Sequence, residues 1–298
     1  MAKVAYLGPK GSFTEAAAKF LLAEEDHIPY SSIPDSIDAV QNGEVDYAVV
    51  PLENAIEGSV NITLDYLIHH QRVMMVGEIT APIQQHLMVK KEHENDWENV
   101  TTVFSHPQAI AQCHQFLREN LPQAKQKIMS STAAAAKFVS ETGPDEKFGV
   151  IANEISAEGY GLSIVQSSIN DYVNNRTRFV VLKKTELEEN DLLQTEETRY
   201  KTTLMVTLSS DFTGALHQVL SAFSWRKINL SKIESRPMKT GLGDYYFIID
   251  VEMKLDDVLL PGVRDELKAL GCSVELLGSY PCYQMETLFS LNKGFIKG

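Results

Sequence analysis

Cysteine, long apolar runs and positive charge are all scarce in this 298-residue sequence, and each absence excludes a class of protein. The three cysteines, Cys113, Cys272 and Cys282, are odd in number, widely spaced and without a Cys-x-x-Cys pair. Free thiols in a reducing cytoplasm are therefore expected, not a disulfide framework. No apolar run reaches the roughly 18 residues of a transmembrane helix. The N-terminal stretch also lacks the apolar core of a signal peptide.

The charge balance argues against a nucleic-acid partner. With 27 Lys and Arg against 40 Asp and Glu, the formal net charge is −13, and no basic patch stands out that could neutralise phosphates. The first turn between a strand and a helix, Gly8–Ser12, has neither a Gly-Lys-Ser/Thr ending nor a Gly-x-Gly-x-x-Gly pattern. A nucleotide cofactor is therefore not expected.

The most informative stretch runs from Asn175 to Phe179. Thr177 lies between Arg176 and Arg178, and an apolar run follows at residues 180–182. Two cations and a hydroxyl at the edge of a buried strand suit an anionic ligand that needs a central hydrogen bond. The alternative is a strand entered through a polar loop with solvated arginines, and the spacing alone does not decide between them.

Strands and helices alternate from residue 3 to residue 182, which predicts an α/β region with a mainly parallel sheet. A strand end followed by a polar turn and a capped helix recurs at Gly8–Ser12, Ser105–Gln108 and Ser130–Thr132. We expect two lobes that share one cleft. Helix N-termini that face the cleft would supply positive partial charge.

Two further polar positions are open to two interpretations each. Glu53 and Asn54 follow an apolar strand, and ligands of α/β sheets bind at the carboxyl ends of strands. Glu53 is equally suited to a helix cap or a loop salt bridge. His86 enters a strand and is either a buried histidine or a functional one.

The first region is expected to cover residues 1–183. One lobe would hold about 1–79 and 160–183, and the other about 80–159. Residues 184–200 are acidic and poorly patterned, which predicts a linker.

The second region covers residues 201–281, with a tail at 282–298. Its predicted order of elements, β-α-β-β-α-β, is that of a ferredoxin-like fold. It is small and has no obvious nucleophile–base pair, which favours a regulatory or dimerising role.

The motifs along the chain, taken in order, resemble those of bacterial prephenate dehydratase in its monofunctional form with a C-terminal ACT domain. They are Gly8-Pro9-Lys10-Gly11-Ser12-Phe13-Thr14, Val50-Pro51-Leu52-Glu53-Asn54 with Glu57-Gly58, Ser105-His106-Pro107-Gln108-Ala109, Asn175-Arg176-Thr177-Arg178-Phe179, Gly214-Ala215-Leu216 and Glu234-Ser235-Arg236-Pro237. Each peptide alone is a weak signal, but the ordered set covers nearly the whole chain. No chorismate mutase segment precedes the first strand, so we expect the monofunctional form.

The resemblance implies a fold class and an activity. The fold is α/β, with a two-lobed catalytic region like that of periplasmic binding proteins and an α+β ferredoxin-like ACT domain. The activity is the decarboxylating dehydration of prephenate to phenylpyruvate, CO2 and water in phenylalanine biosynthesis, without cofactor or metal. Phenylalanine is the expected feedback inhibitor. The resemblance also implies a cytoplasmic homo-oligomer, a dimer or tetramer, without nucleic-acid or membrane partners.

The resemblance also implies catalytic roles. Thr177 helps the ring hydroxyl to leave; because a threonine hydroxyl is a poor free acid, we expect it to act as a preorganised hydrogen-bond donor to the departing oxygen. Arg178 is predicted to hold the pyruvyl carboxylate. A general acid, where one is needed, is either Glu53 with a raised pKa or a chain of water molecules. A cation fixed on the ring carboxylate would stabilise the ground state and slow its loss as CO2.

The predicted substrate-binding residues lie at the capped turns and beside Thr177: Ser12, Asn54, Ser105, His106, Ser131, Thr132 and Phe179. Phe179 is an apolar wall for the ring, a core residue, or both. Because side chains alternate along a strand, Thr177 and Arg178 can reach one ligand only if this stretch is a loop or an irregular strand entry. Arg176 is expected to be structural, paired with the acidic linker or with Asp171.

The predicted phenylalanine site lies in the ACT domain and comprises Gly214, Ala215, Leu216, Asn229, Glu234 and Ser235. Backbone N–H groups at the helix start after Gly214 suit an amino-acid carboxylate. Glu234 is the candidate partner for the ammonium group, with Asn229 close along the same strand.

Two alternatives remain open. Arogenate dehydratase differs in accepting an amino group where prephenate has a keto group, and one side chain in the cleft could decide between them. The other is a non-catalytic two-lobed sensor of an amino acid or a dicarboxylate. Thr177 beside Glu53 and Asn54 argues against a sensor, because a simple binder has no need of the hydroxyl.

Overall fold

A computed structural model describes residues 1–70, 73–186, 192, 198–208, 213–238 and 245–286. The chain divides into two compact units. The first comprises the described parts of 1–72, 79–180 and 284–298, and the second those of 73–78 and 181–283. Most of the predicted linker 184–200 and of the predicted tail 282–298 lies outside the described residues.

Strands and helices alternate in the first part of the chain, as the sequence predicts. In order they are β1 (Lys3–Leu7), α1 (Phe13–Leu21), β2 (Asp26–Tyr30), α2 (Ile33–Asn42), β3 (Tyr47–Asn54), β4 (Gly58–Ser59), α3 (Asn61–His69), β5 (Met74–Pro82), β6 (His86–Lys90), β7 (Thr102–Ser105), α4 (Pro107–Gln112), α5 (His114–Asn120), β8 (Lys125–Ile128), α6 (Thr132–Glu141), β9 (Phe148–Ala152), α7 (Glu154–Tyr160), β10 (Leu162–Gln166) and β11 (Arg176–Lys183).

The first unit contains a sheet with the strand order β2-β1-β3-β11, and β4 pairs with the end of β3. Strands β2 and β3 both run parallel to β1. The strand β1 is buried at Val4, Ala5 and Tyr6, because a parallel strand covered on both faces needs a continuous apolar run.

The second sheet of this unit has the order β10-β6-β9-β7-β8. Strands β7, β8 and β9 are parallel, while β6 is antiparallel to both β9 and β10. Apolar residues alternate between its two faces: Leu87 and Val89 join a cluster with Leu117, and Met88 joins a cluster with Ala135. The two faces are covered by different helices, as expected for an α/β lobe.

The return to the first sheet occurs later than the sequence suggests. We expected residues from about 160 to belong to the first lobe, but β10 pairs with β6 in the second sheet. The periodicity of a strand shows that it is half-buried but not which sheet it joins, so this boundary was wrong by one strand.

The second unit has the predicted order, β12 (Arg199–Thr207), α8 (Ala215–Ser224), β13 (Leu230–Pro237), β14 (Tyr245–Val251), α9 (Leu259–Ala269) and β15 (Ser273–Gln284). Its strands follow the antiparallel order β13-β14-β12-β15. Leu204, Val219, Phe223, Ile249 and Val263 form one buried cluster between sheet and helices. This is the split β-α-β unit of the ferredoxin-like fold.

Serine N-caps begin α1, α2 and α6 in the first unit. Ser12 accepts from Glu15 N, Ser32 from Asp35 N and Ser131 from Ala134 N. The N-cap of α2 is therefore Ser32, and Asp35 lies at the third helical position. Gly43 ends α2 in the left-handed conformation, which costs glycine nothing.

The cysteines form no disulfide among the described residues. Cys113 is fully buried in the apolar cluster of α4 and α5, and burial raises the pKa of its thiol to about 12. In the described ranges, no helix combines the length and the apolar character that a membrane crossing requires; the longest, α9, has 11 residues.

Candidate active site

A cavity of about 910 Å³ lies in the first unit, and its walls come from both sheets. From the first sheet it takes Leu7, Tyr30 and Asn54, the last residues of β1, β2 and β3. These are the carboxyl ends of neighbouring parallel strands, where ligands of α/β proteins bind. The position agrees with the predicted cleft.

Four helices of the described part of the chain have an N-cap residue in the cavity lining, and one of them is α3 with Val60. The N-caps of α1, α4 and α6 are Ser12, His106 and Ser131, and all three line the cavity. The capped turns that recur along the sequence therefore meet at one place. The backbone N–H groups and the positive partial charge at the starts of α1 and α6 suit an anionic ligand.

The two capping serines differ in what their hydroxyls can still do. Ser12 Oγ accepts from Glu15 N at 3.2 Å and donates to Leu7 O at 3.0 Å, so its own loop uses both functions. Ser131 Oγ accepts from Ala134 N at 2.9 Å, and no described residue accepts its proton. Ser131 can donate to a ligand, as can the neighbouring Thr132, which also lines the cavity.

The loops after β3 and β7 meet across the cavity. Gln108 Nε2 donates to a carboxylate oxygen of Glu57, and Gln108 N donates to His106 Nδ1 at 3.4 Å. All three residues line the cavity. Glu57 follows a strand of the first sheet and Gln108 follows one of the second, so this contact joins the two lobes.

The orientation of Thr177 is set by Asn54. The Asn54 Oδ1 accepts from the backbone N–H groups of Ile56 and Glu57 at 3.0 and 3.2 Å. The Nδ2 of Asn54 therefore points the other way and donates to Thr177 Oγ1 at 2.9 Å. In the described part of the chain nothing accepts the Thr177 proton, and Thr177 lines the cavity, so its O–H group is available to a ligand.

Arg178 does not share the surroundings of Thr177. Residues 176–183 form a strand in which Thr177 and Phe179 line the cavity, whereas Arg178 is not among the lining residues. We predicted a loop or irregular entry that would let Thr177 and Arg178 reach one ligand, and that prediction was wrong. The period of two along a strand separates neighbouring side chains.

Arg178 instead pairs with Glu53. Its Nη1 lies 2.6 Å from Glu53 Oε2, and the two side chains are 16% and 29% exposed. Glu53 does not line the cavity either. The structure therefore shows the loop salt bridge that the sequence left open for Glu53, and gives no support to a carboxylate-binding role for Arg178.

Ser105 and Arg176 also form contacts within the protein and do not line the cavity. Ser105 is fully buried and donates to Ile151 O at 2.6 Å; the cavity begins only at the next residue. Arg176 pairs with Glu286 at 2.8 Å, not with Asp171 or the acidic linker as expected. Phe179 is 1% exposed and lines the cavity, so both interpretations of it are compatible with the structure.

Several polar lining residues were not predicted as site residues, among them Lys10, Gln85 and Gln112. Lys10 is exposed and is the lysine of the Gly8–Ser12 turn; Gln112 and Gln85 also line the cavity. The motif that contains Lys10 was a usable signal, because a lysine in an anion-binding turn is itself a candidate. Gln85 follows Pro82 between β5 and β6, and nothing in its sequence surroundings indicates a site.

The turn that carries Lys10 is held from both lobes. Glu15, 2% exposed, accepts from Gly11 N at 2.5 Å and pairs with Lys19 at 2.6 Å. From the other lobe, Ser156 Oγ donates to Gly11 O and Tyr160 Oη to Lys10 O, each at 2.9 Å. The three hydrogen bonds to Gly11 and Lys10 fix the backbone that presents Lys10 and the start of α1.

The predicted phenylalanine site lies in the second unit. Gly214, at φ 94°, begins α8 without a side-chain cap; Ala215 is buried and Leu216 is exposed. Glu234 and Ser235 lie on β13, and Glu234 pairs with Lys232 at 3.1 Å and Arg236 at 3.4 Å. Asn229 precedes β13 and donates to Glu252.

Comparison with known proteins agrees with this arrangement. Residues 4–187 match the family model described as Prephenate dehydratase. The chain is 54% identical over 285 residues to the prephenate dehydratase of Bacillus subtilis, with 95% of this chain and 100% of that protein covered. It is similar to the structure of prephenate dehydratase in complex with L-Phe from Arthrobacter aurescens (TM-score 0.81, 29% identity, 99% of this chain and 100% of that one). It is also similar to that of the Staphylococcus aureus enzyme (TM-score 0.78, 31% identity, 93% and 99%). The chain belongs to the prephenate dehydratase family.

Proposed function

We propose that this chain converts prephenate to phenylpyruvate, CO2 and water as a step of phenylalanine biosynthesis. The observation that carries the proposal is the Thr177 hydroxyl, which accepts a hydrogen bond from Asn54 and keeps its proton for the cavity. A hydrogen-bond donor fixed in this way suits a reaction in which negative charge develops on a departing oxygen. Such a donor also favours an enzyme over a sensor.

Binding of the dianionic substrate is assigned to Lys10 and to the starts of α1 and α6. Lys10 has no ion pair among the described residues and lines the cavity beside the α1 N-terminus. We assign it the pyruvyl carboxylate, the role that Arg178 cannot fill while paired with Glu53. Ser131 and Thr132 at the start of α6 add hydroxyl and backbone donors.

The reaction breaks two bonds on opposite sides of the ring. The bond to the ring carboxylate breaks, CO2 leaves and the electron pair enters the ring. The carbon–oxygen bond at the opposite ring carbon breaks, and the oxygen leaves with its electron pair and takes up a proton to form water. Thr177 donates a hydrogen bond to that oxygen as its charge grows. Glu53, already in an ion pair, is not needed as the acid, and water is the proton source.

The test is an assay of the purified full chain with prephenate, in which phenylpyruvate is followed by its absorbance. Phenylpyruvate formed at a rate well above the spontaneous reaction is the expected result. Arogenate is assayed in parallel, because formation of phenylalanine from arogenate at a higher kcat/KM would replace this function by arogenate dehydratase. Tight binding of prephenate without turnover would favour the sensor.

Phenylalanine is proposed as the feedback inhibitor, bound by the second unit. The support is the L-Phe complex of the Arthrobacter aurescens relative, which shares this chain's whole length. Gly214 supplies an uncapped helix start, and Glu234 supplies a carboxylate. Isothermal titration should detect phenylalanine binding that Glu234→Gln weakens by about tenfold. Absence of binding to the parent would end this part of the proposal.

We further propose a cytoplasmic homo-oligomer, dimer or tetramer. The support is the family membership and the position of β13 as the outermost strand of the second unit's described sheet. Light scattering at several concentrations tests this, and a constant monomer mass would contradict it.

A further inference from the structure

Gln85 is a buried polar residue that the roles assigned above do not use. It lines the cavity and is only 3% exposed. Its Oε1 has no hydrogen-bond partner among the described residues. Leaving a buried polar group unpaired is costly, so a native side chain in this state calls for an explanation.

The backbone holds Gln85 firmly in this position. Gln85 N donates to Asn170 Oδ1 at 3.2 Å, and Gln85 O accepts from Ile169 N at 2.8 Å. Two residues earlier, Ile83 N donates to Asn175 O at 2.9 Å. The two chain segments that cross between the sheets are tied to each other here. These contacts fix the backbone of Gln85 at the cavity, so a ligand in the cavity is the candidate partner of its side chain.

The chemistry of the amide narrows the choice of ligand group. The proposed substrate offers two carboxylates, a ring hydroxyl and a keto oxygen. The carboxylates require cations or helix N-termini, and the leaving hydroxyl requires the donor of Thr177. The neutral keto oxygen remains, and a neutral amide is a suitable partner for it, because a half-turn of the amide exchanges its oxygen and its N–H2 group.

We propose that Gln85 hydrogen-bonds the keto oxygen of the substrate's side chain and sets the preference for a keto over an amino substrate. This inference rests on the proposed function. An ammonium group in place of the keto oxygen would be desolvated beside a neutral amide that itself supplies no compensating charge. A carboxylate at position 85 would supply that charge and would repel electron-rich oxygen instead.

The experiment compares Gln85→Glu with the parent on prephenate and on arogenate. We expect the ratio of kcat/KM for arogenate to kcat/KM for prephenate to rise by about tenfold or more. The ratio is measured on one sample, so the concentration of folded enzyme cancels. Gln84→Glu is the matched control, since Gln84 is the adjacent, exposed residue outside the cavity lining, and should leave the ratio unchanged.

A second variant keeps the test decisive where a buried carboxylate prevents folding. Gln85→Met keeps the length of the side chain and removes both hydrogen-bonding groups. The value of kcat/KM for prephenate should therefore fall by about tenfold, and the value for arogenate should fall less. A ratio within about threefold of the parent in a folded variant would overturn the inference, because an equal loss on both substrates indicates a structural role. A parent without activity on either substrate would instead remove the proposed function.

Discussion

Thr177 and Arg178 are neighbours in the sequence but have different partners in the structure. The hydroxyl of Thr177 is oriented by Asn54 toward the cavity, whereas Arg178 forms an ion pair with Glu53. The difference comes from the strand, in which successive side chains point to opposite faces. A motif of contiguous residues therefore need not be a contiguous site.

The first residue-scale prediction concerns the Thr177 hydroxyl. Thr177→Val keeps the shape and removes the donor, and kcat with prephenate should fall by at least about 100-fold, the effect of losing one oxyanion donor. KM should change little, because the bond strengthens only as the oxygen leaves. Thr177→Ser restores the hydroxyl and should recover most of kcat. A Val variant within about threefold of the parent kcat would exclude Thr177 as the central donor.

The second residue-scale prediction concerns Lys10. Lys10→Met removes the cation at the α1 N-terminus, and KM for prephenate should rise by about tenfold, as expected for one charge-assisted contact. Lys3→Met is the matched control, since Lys3 is exposed on β1 outside the cavity lining and should leave KM unchanged. Steady-state kinetics at fixed ionic strength measure both. If KM stays at the parent value in Lys10→Met, the pyruvyl carboxylate is bound by a group other than Lys10.

At the scale of elements, the ion pair between β3 and β11 is predicted to hold strands and not substrate. Arg178→Met leaves the Glu53 carboxylate without its guanidinium in a partly buried position, and stability should fall by about 1–3 kcal/mol. Arg176→Met, on the same strand, removes the more exposed pair with Glu286 (37% and 57%) and should cost less than about 1 kcal/mol.

Urea unfolding measures the loss of stability in each variant, and KM for prephenate shows whether either arginine binds substrate. Both variants should bind prephenate like the parent. A large rise of KM in Arg178→Met alone would instead support the role predicted from the sequence, with Arg178 leaving Glu53 when substrate binds.

Helix caps give the second prediction at this scale. Ser131→Ala and Ser32→Ala each remove an N-cap bond, from Ala134 N at 2.9 Å and from Asp35 N at 3.2 Å. Each should cost about 1 kcal/mol of stability. Only Ser131 lines the cavity, so only Ser131→Ala should raise KM for prephenate as well. Equal KM values in the two variants would show that the Ser131 hydroxyl is not a ligand donor.

The helices and strands themselves were predictable from the sequence, while several strand pairings and side-chain contacts between them were not. Alternating strands and capped helices follow from local signals such as Ser12 with Glu15, which act within a few residues. The pairing of β10 with β6, or of Arg178 with Glu53, depends on residues about 70 and 125 positions apart in the chain, and no local pattern encodes it. Gln85 was missed for the same reason, because its burial comes from residues near 170.

At the scale of the whole molecule, the sequence predicted a two-lobed α/β region and a ferredoxin-like unit, and the structure confirms this fold class. Hydrophobic patterning fixes which faces are buried, and the right-handed crossover rule leaves few ways to connect such strands. What patterning does not report is the protonation of buried groups, which depends on the completed packing. His86 is such a group.

His86 is 7% exposed, and its Nδ1 accepts from Ser168 N at 3.2 Å where the chain crosses between sheets. Burial lowers its pKa below the ordinary value of 6.5, against a smaller opposing effect of Glu154. The structure thus resolves the two interpretations of His86 in favour of a buried, neutral imidazole that accepts a backbone hydrogen bond. No direct contact with the cavity is involved, since His86 is not among its lining residues.

A lowered pKa in the folded state makes stability depend on pH. Below about pH 6.5 the unfolded chain takes up a proton at His86 that the folded chain resists. The stabilisation is therefore complete above the unfolded pKa and is lost as pH falls from about 6.5 toward the folded pKa. Urea unfolding between about pH 7.5 and pH 5.5 should show a fall in the free energy of unfolding that is smaller in His86→Gln than in the parent. The exposed His114→Gln is the matched control, and a slope in His86→Gln as steep as in that control would contradict the assignment of a neutral buried imidazole.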